Sequence, residues 1–444
     1  MISASFIKRF EGAASVESGS KMDMDAQQIT VNDREQLIYL LTEAAEIEHG
    51  LMCSYLYANW SLKERTDEGL TEDQLSAING WRDSMQNVAM EEMLHLALVN
   101  NLLMSLGSPP HFMRPNFPIA PGYHPSSMVV RLTPFTRETA DHFVYLERPE
   151  GMEQPQAPGF EAVIAYHRYR GRPRLTPTAE DYGTVSHLYR GVEDGFRRLS
   201  SELGEAALFI GDAQTQVTPE ILRFEGLVAV TNLDSALSAI ATIIEQGEGS
   251  QSNDEDSHYN RFCAIRDEYD AFLAEDANFC PHRPVVSDPV MFCPVVKQDT
   301  VHVSEPLAAH VLDAANATYG LMLRLLASGF SMASGDTETR RIEIESAISM
   351  MSVMKSLAGL LTTLAANAKR PQQNAGMNFH LPRATLALPQ RKAGATLLAE
   401  RANEIGNTLA ALAEETRIGN TSLAEKLHSV AEALRTNQKN KPVD

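Results

Sequence analysis

Glu92 and His95 stand three apart inside VAMEEMLHLALVNNLLMSLG, a stretch that otherwise reads as the apolar face of a helix. Residues three apart share a helical face, so the pair can point at a common centre while Glu91 turns away. Glu-x-x-His is the unit with which helical bundles hold two iron or manganese ions: one such pair on each of two helices, and a single glutamate from each of the other two. Alone the pair is weak, because a solvated Glu/His pair at this spacing is common on helices.

Three further features give it weight. AAEIEHGLMCSYLY carries Glu46, Glu48 and His49 within apolar sequence; only one of the two glutamates can turn fully inward, and Glu48 shares a face with Ala44, Leu51, Met52 and Tyr55. Glu193 in SHLYRGVEDGF falls on the stripe of Tyr189 and Phe196. Glu245 and Glu248 in IIEQGEG close an apolar helix, and His258 follows in SHYNRF. A buried carboxylate costs several kcal/mol or titrates to neutrality unless it is paired or metal-bound, so four helices with inward acids call for one shared cause. A dinuclear metal cluster is that cause. Carboxylate and imidazole donors without thiolate suit iron or manganese better than zinc or copper.

The second half of the cluster is left open among Glu193, Glu245, Glu248 and Glu255. Glu255-x-x-His258 has the spacing, but Glu255 lies in the acidic run NDEDSH, where it reads equally well as solvated. Tyr55, Tyr57 and Trp60 could face the centre, with packing the plainer expectation. Cys280, His282 and Cys293 lack the two close ligand pairs of a zinc site.

These residues need long helices to position them. Periodic apolar residues over 33–64, with Asp33 placed to cap and no proline inside, predict a helix of about 30 residues, or ~45 Å. TEDQ opens a second helix over 72–106, ended by LGSPP. From 107 to 180 prolines are frequent and periodicity is weak, the texture of a crossover that covers a site. Helical patterning returns at 182–206, 233–247 and 256–276, giving an all-α four-helix bundle with a crossover. A second helical region follows in 281–383, at 305–333 and 337–368. Past a linker comes a charged amphipathic tail at 394–436 within 384–444, and residues 1–30 read as a loose leader.

The net charge of −20 opposes nucleic acid and anionic membrane surfaces as partners. No apolar run approaches the ~18 residues of a membrane span, so a soluble protein is expected. Four cysteines without CxxC, and no secretory pattern, suit a reduced cytoplasmic compartment.

The segments LLTEAAEIEHGLMCSYLYANWSLK, MQNVAMEEMLHLALVNNLLMSLGSPP, GEAALFIGDAQTQVTPE, IIEQGEG and SHYNRF resemble a bacterial ferritin-like family that includes the corresponding parts of the iminophenyl-pyruvate dimer synthases of violacein and rebeccamycin biosynthesis. The likeness runs from about 33 to 275 and extends through NATYGLMLRLLA to NAGMNFHLPR. It implies a ferritin-like bundle over 31–280, with Glu48, Glu92 and His95 as ligands and Glu193, Glu245, Glu248 and His258 as candidates for the rest. The dimer synthases carry much more chain, so the coupling reaction does not transfer with the fold.

The expected function is an O₂-dependent oxidase or oxygenase. It would have two iron ions per chain, manganese being the other choice, and would act on a small, amino-acid-derived or aromatic molecule in specialised metabolism. An external electron donor and a homo-oligomer built on the C-terminal helices complete the expectation. The competing readings are a ferroxidase or peroxide-detoxifying protein, and a helical scaffold that has lost its metal.

Overall fold

The computed structural model describes residues 28–120, 122–125, 128–161, 175–248, 256–292, 300–331, 337–382, 391–416 and 421–439. Glu255, Cys293 and residues 1–27 of the expected leader lie outside the described residues.

Two long helices form the first layer. α1 (Arg34–Ser61) starts where Asp33 accepts a hydrogen bond from the Gln36 amide, and α2 (Glu72–Ser105) starts in a reciprocal capping box between Thr71 and Gln74. α2 stops because Gly107 takes a φ of 86°, a left-handed conformation open to glycine, just before Pro109 and Pro110. The crossover contains α3 (Arg137–Leu146), capped by Thr136. It is followed by α4 (Val185–Leu203), α5 (Glu205–Leu208), α6 (Leu233–Gly247) and α7 (His258–Glu275). α1 packs on α2 and α4, α6 packs on α4 and α2, and α3 pairs with α7. The bundle predicted from periodicity is therefore present, with α3 and α7 closing one side.

Ile29, at the end of the expected leader, is buried rather than loose, and with Val31 it lies on α4 at Gly191 and Gly195, where a Cβ on Gly191 would come within 2.6 Å of the Ile29 Cβ. After a two-stranded parallel pair, β1 (Pro289–Val290) and β2 (Val301–His302), the chain forms α8 (Pro306–Ser331), α9 (Thr337–Leu361), α10 (Arg391–Thr416) and α11 (Thr421–Lys439). These pack as one assembly, α8 on α9 and α10 on α11, so the ranges 281–383 and 384–444 meet in a common layer.

That layer is fastened to the bundle through Tyr319 of α8. Its hydroxyl donates to His49 of α1 at 2.5 Å and accepts from Arg114 of the crossover at 3.0 Å. Among the described residues α9 alone has the length and apolar composition to cross a membrane, and half of that window is buried in the fold.

Candidate metal centre

Glu48, in the middle of α1, and Glu92 and His95, in the middle of α2, meet in the bundle interior with 1%, 1% and 2% exposure. His95 Nδ1 lies 3.2 Å from Glu92 and 3.5 Å from Glu48. The other half comes from two helix ends. His258 is the first residue of α7, whose start is fixed by the Ser257 side chain accepting from the Asn260 amide, and Glu147 is the residue that closes α3. His258 Nδ1 lies 3.1 Å from Glu92 and 3.7 Å from Glu147. The donor atoms thus form two triads, Glu48–Glu92–His95 and Glu92–Glu147–His258, that share Glu92. The two imidazoles stack with centroids 5.4 Å apart.

The surroundings hold these side chains in place. Tyr189 of α4 donates to Glu48 at 2.5 Å, and Tyr55 of α1 donates to Glu147. The far nitrogen of His95 donates to the Gln246 side chain at 2.9 Å, and that of His258 to Glu91 at 2.9 Å. Glu91 also receives two hydrogen bonds from Arg261, at 2.8 and 3.1 Å.

Three carboxylates and two imidazoles buried together perturb one another. Burial, and then the charge of Glu92, push the Glu48 carboxyl up to about 8. Burial works against a charged His95, yet hydrogen bonds to Glu48 and Glu92 hold it up at about 10. His258 is likewise raised against burial by Glu147, Glu91 and Glu92, while Glu92 is held well below the usual carboxylate range despite its burial, by its bonds to Glu48 and His258.

His258 Nδ1 is fully buried and aimed at carboxylate oxygens, yet makes no well-formed hydrogen bond. A cation would take the place of the proton that these anionic oxygens draw to the ring, and the all-oxygen-and-imidazole donor set suits iron or manganese. By this test the residues fit a dinuclear metal. Beside them is a cavity of about 20 Å³ walled by Leu51, Val185 and Ile243, room for one or two small molecules the size of water.

The structure brings four of the sequence-derived candidates together: Glu48, Glu92, His95 and His258. It does not bring in the other three. Glu193 points outward and pairs with Arg197 at 2.7 Å, because the buried stripe of α4 runs through Leu188, Val192, Gly195 and Leu199 and leaves Glu193 at its edge. Glu245 is exposed, on the outer side of α6. Glu248 accepts from Arg190 and from the Glu150 amide, at the cavity wall rather than in either triad.

Glu147 takes the place expected of these acids. Its signal was RETADHFVYLE, an amphipathic stretch ending in an acid, where the helix dipole disfavours a carboxylate unless a cation is near. Glu46 turns instead to His111 and Tyr123, at 3.1 and 2.6 Å. Of the three aromatics, Tyr55 reaches the centre, Tyr57 bonds the Val286 carbonyl and Trp60 stacks on Phe379.

The ferritin-like family model matches residues 41–267. Dichlorochromopyrrolate synthase of Lentzea aerocolonigenes is 30% identical over 405 residues, covering 81% of this chain and 37% of its own. The 2-imino-3-(indol-3-yl)propanoate dimerase of Chromobacterium violaceum is 26% identical over 338 residues, covering 72% of this chain and 31% of its own. This chain therefore spans about a third of the length of these two enzymes. A ferritin-like protein from Caulobacter vibrioides, solved at 1.95 Å, superposes with a TM-score of 0.47 and 17% identity over 78% of this chain and 99% of its own.

Proposed function

We propose, from the premise that this chain belongs to the ferritin-like family, that it is an oxidoreductase whose buried carboxylates and imidazoles would hold a pair of iron ions, or of iron and manganese. One observation carries the reading: Glu92 turns one oxygen to His95 and the other to His258, at 3.2 and 3.1 Å, as a shared ligand between two metal positions would. Glu48 and His95 would complete one position, Glu147 and His258 the other. A metal pair held there would supply the two electrons with which O₂ is reduced.

The chain's own residues do the rest. The Tyr189 and Tyr55 hydroxyls fix the carboxylates of Glu48 and Glu147, and Gln246 and Glu91 fix the imidazole edges so that both Nδ1 atoms face inward. Leu51, Val185 and Ile243 give the cavity an apolar wall beside the carboxylates and imidazoles. One relative is named as a synthase of dichlorochromopyrrolate and the other as a dimerase of 2-imino-3-(indol-3-yl)propanoate. We take the organic substrate here to be of that kind: amino-acid-derived and aromatic, from specialised metabolism.

The size of the cavity favours one alternative. Space of about 20 Å³ admits O₂ or peroxide but no indole ring, as ferroxidase or peroxide-removing chemistry requires. Oxygen uptake separates the two. The iron-loaded, reduced protein should consume O₂ beyond the amount set by its own iron when an aromatic α-imino acid is supplied, and product should form in proportion. Uptake that stops at the iron equivalence, whatever organic compound is present, would leave the ferroxidase reading in its place.

A further inference from the structure

The two halves of the centre match donor for donor as far as the carboxylates. Each has one terminal glutamate, Glu48 or Glu147, each of these receives one tyrosine hydroxyl, from Tyr189 or Tyr55, and both share Glu92. The match ends at the outer edges of the histidines. His95 donates its far N–H to the neutral amide of Gln246, whereas His258 donates to the carboxylate of Glu91, which Arg261 grips through two nitrogens. An imidazole that hydrogen-bonds an anion is a stronger electron donor than one that bonds an amide, and such outer partners change metal affinity on the order of 10–100-fold.

We propose that the two metal positions are built to be unequal, with the Glu92–Glu147–His258 position filling first and holding its ion more tightly. Glu91 is the positioning residue that makes the difference, and Gln246 is its weaker counterpart. This rests on the dimetal reading of the site given above. It goes further in assigning an order of loading to residues that touch neither ion. The geometry also accounts for Arg261: it bonds both oxygens of Glu91, at 2.8 and 3.1 Å, and so holds that carboxylate in place behind His258. On the His95 side, Gln246 carries no charge to offer.

The test is an anaerobic calorimetric titration of the metal-free 444-residue chain with ferrous iron. Wild type should bind in two resolved phases, the tight one lost in Glu147→Ala and the weak one in Glu48→Ala. Glu91→Gln should weaken the tight phase by about 10–100-fold, leaving the other in place, and the phases should merge. Gln246→Glu, which keeps size and shape, should tighten the weak phase, a gain that no general loosening of the fold would produce. Two phases of equal affinity in wild type, or affinities unmoved by both Glu91→Gln and Gln246→Glu, would overturn the inequality while the dimetal site stood. Absence of binding in wild type would remove the site and the inequality together.

Discussion

Glu91 and Glu92, consecutive on α2, hold opposite edges of one imidazole: Glu92 lies 3.1 Å from His258 Nδ1 and Glu91 lies 2.9 Å from Nε2. Neighbours on a helix point about 100° apart, so both can reach the same ring only because His258 enters across α2 from the start of α7. The inward acid becomes a candidate ligand and the outward one its support. The doubled acid in EEMLH thus has two separate tasks on one partner.

The outward and inward acids should respond differently to removal. Glu92→Gln takes away the oxygen donor common to both triads, and metal content should fall from about two ions to near none while far-UV circular dichroism stays unchanged. Glu193→Ala and Glu245→Ala should leave metal content untouched, and the exposed pair of Glu193 with Arg197 should cost less than about 1 kcal/mol of stability. Glu147→Ala, at the end of α3, should lose one ion. Metal analysis of the four variants decides between the acids on α4 and α6 and the one at the end of α3.

Tyr189→Phe and Tyr55→Phe each leave a buried carboxylate without its hydroxyl donor. Each should lower the stability of the metal-free protein by about 1–3 kcal/mol, read as a shift in the urea midpoint at unchanged slope. Tyr57→Phe removes a bond to a backbone carbonyl far from either triad and should leave metal affinity as it is.

His142 gives the fold a dependence on pH away from the centre. It is fully buried, donates from Nε2 to the Val129 carbonyl at 2.7 Å and stacks on Phe160 at 3.9 Å, and burial pushes its pKa down from 6.5 to about 3. The unfolded chain takes up a proton near 6.5 and the folded chain does not. Its contribution is therefore fully present above 6.5 and is lost as pH falls toward 3, at up to about 1.4 kcal/mol per unit. Unfolding free energies measured between pH 7 and 5 should fall less steeply in His142→Gln, which can still donate to Val129, than in wild type.

Long helices were the most legible part of the sequence. The 233–247 reading coincides with α6, and 33–64 and 72–106 overlap α1 and α2 almost fully, because each has capping residues at its start and unbroken apolar spacing. Glu48, Glu92 and His95 were legible for the same reason, as polar side chains on otherwise apolar helical faces. His258 was legible only as a candidate without an assigned partner, and Glu147 was missed: both sit at helix ends, where there is too little of a helix on one side to define a face, and the pairing of two ends across the crossover has no local spacing to reveal it. Glu193 misled because one turn either side of it lie Tyr189 and Phe196, both buried, while the stripe itself passes one residue away.

The metal pair is tested most directly by elemental analysis of the purified chain, expressed with ample iron and manganese and quantified per polypeptide. Close to two ions of iron or manganese per chain is the predicted result. Negligible metal, persisting after anaerobic reconstitution with ferrous iron, would contradict it and leave the buried glutamates and histidines as a polar network inside a helical binding protein.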